Sequence, residues 1–502
     1  MTFTPTPEQA AIVAAATSSE DNLLVAALAG AAKTSTLILV AEALPKTATL
    51  CLAFNKRIAK EMEARLPGHC VSATLNSVGH RAWGQAIGRR LIIDPRKNFA
   101  ILKSLVDELS GDDKEAAYED FSETLHAIAW AKTCGYVPDG KYPQAKRLMG
   151  DEDFFADLEV RPTELQEDLI RKAVLESIKQ SFAGTLDFDD QIFMSTLFPV
   201  SFPQFPLVMI DEAQDLSELN HAMLRKLARK RLIAVGDACQ SIYAFRGAHE
   251  SSMDLLRSAF SMRELTLSVS FRCPQAVVRE AQWRAPHMRW PDWAAEGRVE
   301  TWTEWDAGRL APGTTILCRN NAPLFSMAIR LLKNGRYPEL VGNDIGKNLL
   351  KWMRKFGPAS LPHRGVLQAI DAWQAERERK AKDKGKVRDQ AECMRIVARQ
   401  GKDLGEALAY MDYLLGVVGP VKLMTIHKSK GLEFPTVILL DRHLIRDEHS
   451  QQEKNLLYVA QTRAKEALIY ASSDGFMGEG DMATGQDPAA IPAPVDEEPK
   501  YG

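Results

Sequence analysis

The sequence predicts an α/β protein built on two parallel sheets, and three observations carry the prediction. Short apolar runs of strand length alternate with segments of helical pattern, an arrangement that lays parallel strands side by side and covers them with helices. The runs fall into two groups, one ending near residue 272 and the other beginning near 312. Two long stretches, one within each group, lack strand signals. A chain of 502 residues also has room for about three or four domains.

In chain order, "NLLVAAL" leads into a helix expected from Lys33 to Leu44, and "ATLCLAF" leads into the helical "NKRIAKEMEARL". "PLVMID" and "RLIAVGD" complete the first group, while "TTILCR", "VKLMTI" and "TVILLD" form the second. Residues 87–176 are rich in helix formers and read as a helical insertion; residues 346–416, which include "AERERKAKDKGKVRDQAE", read as a second, shorter one. The expected division is 1–86 with 177–273 as the first sheet domain and 274–345 with 417–473 as the second. From residue 474 the chain is poor in large apolar residues and rich in Gly, Pro and acid, which predicts a disordered tail over 474–502.

Composition narrows the class. Hydrophobic residues make up 45% and charged residues 26%, as in ordinary globular proteins, and the net charge of −3 excludes a uniformly basic coat while permitting a local positive groove. Seven cysteines form no C-x-x-C pair, which disfavours metal sites and a disulfide framework and makes a reducing cytosol the simplest location. "MTFTPTPEQ" carries no positive charge, so a secretory signal is not expected, and no apolar run approaches the ~18 residues that span a bilayer. A cytoplasmic protein without a membrane partner is the expectation.

"ALAGAAKTSTL" follows the first apolar run. Phosphate loops of the form G-x-x-x-x-G-K-[ST] present backbone N–H groups at a helix N-terminus, a lysine for charge and a hydroxyl for magnesium. Lys33 and Thr34 supply both side chains, but Ala27 and Ala32 replace the flanking glycines and only Gly30 remains. Ala32 is tolerable where its φ is negative, since a left-handed alanine costs roughly 1–2 kcal/mol. Alone, the segment reads equally as a phosphate loop or as an alanine-rich helix start. "PLVMIDEAQDL" then puts Asp211 and Glu212 directly after a strand, where one carboxylate can hold magnesium and its neighbour can orient water. With the upstream Lys-Thr loop, that pair favours a nucleotide site over a solvated acidic turn.

From "DEAQD" onward the sequence resembles superfamily 1 helicases of the UvrD/Rep type. "LIAVGDACQSIYAFRGA", "LTLSVSFRCP", "VKLMTIHKSKGLEFPTVILLD" and "EKNLLYVAQTRAKEALIYAS" are similar, in order, to that family's motifs. The resemblance implies two RecA-like motor domains, ATP and Mg²⁺ as cofactors, and a DNA-dependent ATPase moving 3′ to 5′ on single-stranded DNA. It implies that Ala29, Gly30, Ala31, Ala32, Lys33, Thr34 and Ser35 cradle phosphate. Thr34 and Asp211 would hold Mg²⁺, Glu212 would serve the water, and Gln240 would sense the γ-phosphate. Arg272 and Arg463 would be arginine fingers. Gln9 would read adenine, Phe271 would lie against the base, and Glu433 would contact the ribose.

For the strand, the resemblance implies base stacking on Tyr243 and Phe245, with Phe54 as a third ring. Asn55, Lys56, Arg57, Thr74, Arg246, Thr425 and His427 would be polar contacts to DNA. Phe54 reads alternatively as a core aromatic and His427 as a bridge between domains. "TLNSVGHRAW" departs from the family's T-F-H-S segment, with Leu75 and Asn76 replacing two residues. The basic run from Arg377 to Arg388 reads either as a grip on duplex phosphates or as a solvated helix face. The expected partners are single-stranded DNA and its junctions with duplex, for a monomer whose tail is the candidate contact for replication or repair proteins. The alternatives are a translocase that strips bound proteins with little unwinding, and a nucleotide- and DNA-binding protein with impaired hydrolysis.

Overall fold

Every strand of the two large sheets runs parallel to its neighbours. The computed structural model describes residues 4–44, 46–243, 247, 251–342, 344–446, 448 and 450–478. The first sheet contains β1 (Leu23–Ala27), β2 (Thr49–Leu52) and β3 (Cys70–Ala73), while β4 (Ile92–Ile93) and β5 (Thr185–Leu186) pair separately. With β6 (Leu207–Ile210), β7 (Leu232–Gly236) and β8 (Arg263–Leu267) its order is β3-β2-β6-β7-β1-β8. The second sheet comprises β9 (Arg298–Trp302), β10 (Thr314–Cys318), β11 (Pro338–Leu340), β12 (Val421–Thr425), β13 (Phe434–Leu440) and β14 (Ala464–Ala471), in the order β11-β12-β10-β13-β14-β9. The α/β class with two parallel sheets is as expected.

Burial on both faces explains the unbroken apolar runs of the inner strands. In the first sheet Leu24, Leu50, Val208 and Leu232 enter one core while Leu23, Cys51, Met209 and Ile233 enter the other. Parallel strands bring their C-terminal ends to one edge, where ligands bind in open sheets of this kind. The turns after β1, β6 and β7 carry Lys33, Asp211 and Asp237 to that edge.

The helical stretches depart from the expected limits. Helix Glu164–Ala183 runs through the boundary placed at 176, because nothing breaks it before Gly184, which closes it in the left-handed conformation. The core of this unit, with Ile128, Phe154 and Ile170, also draws in Trp83, Phe193 and Phe198 from outside 87–176. The second insertion shares a core with the second sheet: Val366, Met394 and Met411 pack in one cluster with Ile316 and Ile438. Phe476, inside the stretch expected to be disordered, is buried edge-on against Trp305, and Arg330 lies over its ring and donates to its carbonyl. The remainder of that stretch, from 479, lies outside the described residues.

Much of the basic run is exposed, as in a solvated helix face, and three of its cations also form ion pairs with the first insertion. Arg377 pairs with Glu123, Lys380 with Asp120 at 3.1 Å and Lys386 with Glu159 at 3.3 Å, so the second insertion is clasped to the first. The backbone joins in, with Lys382 N donating to the Glu159 carbonyl at 2.9 Å and Val160 bridging Ala381. The acidic partners come from a distant part of the chain, which is why the run alone does not reveal them. Partly exposed pairs of this kind contribute about 0.2–1 kcal/mol each and fade with salt. A double-mutant cycle with Arg377→Ala and Glu123→Ala, followed by urea unfolding, is expected to give a coupling of about 0.5–1 kcal/mol at low ionic strength that shrinks in ~1 M salt. Zero coupling at low salt contradicts the clasp.

Candidate functional site

The phosphate-loop segment begins where β1 ends, and its backbone is set by two residues. Gly30 has φ +75°, and a Cβ there would stand 2.6 Å from Ser270 Oγ and 2.7 Å from Arg272 Cβ. Only glycine fits, both for its φ and for its space. Ala32 has φ +54° and ψ +41°, so the expectation of a tolerable negative φ is overturned: the alanine stands where glycine is usual and keeps the left-handed conformation. Helix Lys33–Ala43 starts directly after it, and its first N–H groups have no partner within the helix. Two loop donors are already committed, Ala29 N to the Tyr458 hydroxyl at 3.0 Å and Ala31 N to the Leu28 carbonyl at 3.1 Å. Ser35 accepts from Arg65 instead of turning into the loop.

Around this loop the charges are buried and mutually arranged. Lys33 lies 3.3 Å from Glu212, and although burial alone would lower its pKa, Glu212, Asp237 and Asp211 hold it above the ordinary lysine value. The Asp211 carboxyl is pushed up to about 6, by burial first and then by Glu212. Burial acts the same way on Glu212, but Lys33 and Lys430 overcome it and bring the carboxyl down to about 2. Two adjacent carboxyls thus differ in proton affinity, as in acid–base sites where neighbours push pKa values apart. Glu212 is itself left-handed, φ +55°, and Gln214 Nε2 donates to it at 2.6 Å. Thr34 Oγ1 donates to Asp211 at 2.5 Å, and this hydroxyl–carboxylate pair is a donor set that fits Mg²⁺.

The second sheet closes over this arrangement. Arg463, 1% exposed, donates from Nε to the Val459 carbonyl, from Nη1 to the Leu432 carbonyl and from Nη2 to Gln240 Oε1, at 3.0, 3.1 and 3.0 Å. Gln240 in turn donates to Asp237 at 2.6 Å. Burial, then the neighbouring Arg272, lowers the Arg463 pKa to about 10, which leaves it charged at neutral pH. Arg272 is paired with Glu433 at 2.8 Å, and this pairing, with that to Lys465, outweighs burial and holds the Glu433 carboxyl below its usual range. Phe271 N donates to the Gly30 carbonyl at 2.9 Å, which fixes that segment to the loop.

Other expected residues are placed differently. The Gln9 amide is fully buried, accepting from Thr6 N and donating one of its two N–H groups to Thr36 Oγ1 at 3.1 Å, which fixes its orientation beside the helix that follows the loop. Asn55 and Thr74 cap the helices Lys56–Glu63 and Leu75–Ile87, and Asn76 donates to the Phe188 carbonyl. Lys56 is exposed, and Arg57 pairs loosely with Glu61. Phe54 and Tyr243 do come together. Phe54 is 49% exposed, and the two rings lie 6.4 Å apart and inclined by only 5°. Tyr243 also donates to the His427 carbonyl, beside Thr425, which precedes the short helix Ile426–Ser429. Phe245 and Arg246 lie outside the described residues.

A cleft of about 450 Å³ is lined by Phe54 and Tyr243 together with Asp211, Glu212 and Asp215. Four residues of this region escape a reading of the sequence. Lys430 bridges Asp215, at 2.6 and 2.7 Å, and the Gln240 carbonyl, while lying 4.5 Å from the centre of the Tyr243 ring. Gln214 orients Glu212, Asp237 faces Lys33, and Tyr458 reaches the phosphate loop. The signal for all four is their place in the motif segments already quoted; none is marked by residue type alone.

Comparison with known proteins settles the family. Residues 6–261, just over half the chain, match the UvrD/REP helicase N-terminal domain, and residues 420–470 match the UvrD-like helicase C-terminal domain. The chain belongs to the UvrD/REP helicase family. Within it, the chain is 24% identical over 519 residues to F-box DNA helicase protein 1 of Schizosaccharomyces pombe, covering 92% of this chain and 57% of that one. It is 25% identical to F-box DNA helicase 1 of Gallus gallus, covering 89% and 47%, and 25% identical to ATP-dependent DNA helicase UvrD1 of Mycobacterium tuberculosis, covering 58% and 40%. The chain therefore spans about half the length of the curated relatives it matches. Among the described residues no helix is long and apolar enough to cross a membrane.

Two outcomes test the site's energetics. Ala32→Gly relieves a left-handed alanine, about 1–2 kcal/mol, and loosens the unfolded chain by about 0.4–1 kcal/mol, so a net gain of about 1 kcal/mol is expected, read as a higher urea midpoint; a net loss would mean the conformation carries no strain. Asp211 binds its proton more tightly folded than unfolded, so its contribution to stability is full below about pH 4 and is lost as pH rises through about 6. Asp211→Asn should therefore exceed the parent protein in stability at pH 8, by on the order of 2 kcal/mol, and match it near pH 4. A gain independent of pH would refute that assignment.

Proposed function

We propose that this chain is an ATP-driven translocase and helicase that moves 3′ to 5′ on single-stranded DNA and unwinds duplex at its junction with the single strand. The two sheets act as motor domains and the helical stretches as insertions. The observation that supports this most is Arg463, carried by the second sheet, meeting Gln240 at a strand end of the first beside the Lys33 pocket. Charge on a transferring phosphoryl needs cations from more than one direction, and an arginine finger is worth about 10³–10⁵ in rate.

Lys33 and the N–H groups that open its helix bind the phosphates of ATP. Thr34 and Asp211 hold Mg²⁺, which when bound neutralises phosphate charge. Glu212, ionised at neutral pH and oriented by Gln214, accepts the proton of the attacking water. Arg272 and Arg463 stabilise the departing charge, and release of phosphate loosens the seam. Phe54 and Tyr243 stack on bases at about 1–3 kcal/mol each, without preference for sequence. Lys430 touches the Tyr243 ring, Asp215 and the Gln240 carbonyl, and so links the phosphate-sensing residue to the strand.

ATP turnover is expected to rise on addition of single-stranded DNA, and Lys33→Ala or Glu212→Gln to lower it about 10²-fold or more. A parent protein whose turnover ignores single strands defeats the motor reading. Strand displacement is expected from a 3′ tail and not from a 5′ tail. Turnover without displacement from either would reduce the activity to translocation that clears bound proteins.

A further inference from the structure

Trp293 is the most exposed of the large hydrophobic side chains near the nucleotide site, at 72%, yet its backbone is held firmly. Ser270 N donates to the Arg289 carbonyl and Arg289 N to the Ser268 carbonyl, both at 2.9 Å, which pairs the approach to Trp293 with the segment carrying Phe271. On the far side Ala294 N donates to the Pro291 carbonyl, Gln275 N to the Ala295 carbonyl and Gln275 Nε2 to the Ala294 carbonyl. Scattered exposed aromatics need no explanation, but this one does not stand alone. Its ring lies 6.3 Å from that of Phe271, with the planes inclined by 28°. Phe271 is itself tied to the phosphate loop through Gly30.

Two aromatic faces that both touch a planar ring between them stand about 7 Å apart, twice a carbon contact of roughly 3.5 Å. The centroid distance of 6.3 Å combines the gap between the faces with their sideways offset, and the indole, 72% exposed, opens a full slot by turning about its own side-chain bonds. We propose that Trp293 is the outer wall of the nucleobase site, so that the base of a nucleoside triphosphate lies between its indole and Phe271. The two rings supply contact to the faces of the base, a role separate from any hydrogen bond that Gln9, itself held by Thr6 and Thr36, makes to its edge. The inference rests on the nucleotide-site reading above and adds to it the residue that holds the base.

The test uses the full chain, with ATP, inorganic triphosphate and a single-stranded oligonucleotide as separate probes. Trp293→Ala is expected to weaken ATP binding about tenfold, as loss of one stacking face should, while leaving triphosphate and oligonucleotide affinities unchanged. Trp293→Phe should restore ATP binding to within about twofold of the parent. Unchanged ATP affinity in Trp293→Ala overturns the proposal, and so does an equal loss of ATP and triphosphate binding, which marks a merely structural role. A parent protein that binds neither ATP nor triphosphate fails the nucleotide-site reading itself and is thereby distinguished from a failure of Trp293 alone.

Discussion

A guanidinium buried between two sheets has to be solvated by protein, and Arg463 finds those acceptors only where the sheets meet. Three of its partners belong to its own half, the carbonyls of Val459 and Leu432 and the Thr462 hydroxyl, and the fourth is the Gln240 amide oxygen of the other half. Removing a cation from water without full compensation costs several kcal/mol, so the position of Gln240 and the closure of the seam are one constraint seen from two sides. The rest of the seam is consistent with it. Tyr458 accepts from Ala29 N, Asn455 donates to the carbonyls of Ala238 and Ser241, and Arg272 pairs with Glu433.

The buried carboxylates are ordered by the lysines that reach them. Lys33, from the first half, acts on both acids, while Lys430, from the second, adds its charge at Glu212; burial and the charge of Glu212 outweigh Lys33 and the Thr34 hydroxyl at Asp211. That difference separates two neighbouring acids into one that is ionised under all ordinary conditions and one poised near pH 6. Left-handed backbone at Ala32 and Glu212 recurs at the same spot. Conformations of this kind cost about 1–3 kcal/mol and persist where surrounding contacts over-determine them, as the packing of Gly30 against Ser270 and Arg272 does here.

The legible part of the fold was the part buried on both faces. "NLLVAAL", "PLVMID" and "TVILLD" announce β1, β6 and β13 because no solvent-facing residue interrupts them. The strands that went unread include β3, β8, β9 and β11, which are the four edges of the two sheets. Half of an edge strand faces water, so "RELTL" and "RVETW" carry charges and lose the continuous apolar signature. β14 was hidden differently: "AKEALIYA" continues a helical pattern and becomes a strand through pairing with β13. In the candidate site, the strand-end carboxylates and the Lys-Thr pair were legible because local spacing expresses their chemistry. Lys430, Tyr458 and Asp237 were not, since their partners lie in distant segments. Asn55 and Thr74 show the converse, polar side chains in motif segments that the fold uses as helix caps.

Those same edges have a further consequence. An open parallel sheet ends in a row of unsatisfied backbone groups, which invites a strand from a neighbouring molecule to add itself. Three of the four edges are guarded by charge: Arg263 and Glu264 on β8, Arg298 and Glu300 on β9, and Glu339 on β11. A copy approaching β8, β9 or β11 would have to strip water from these groups, so the residues that disguise the edges in the sequence also discourage one molecule from polymerising onto the next.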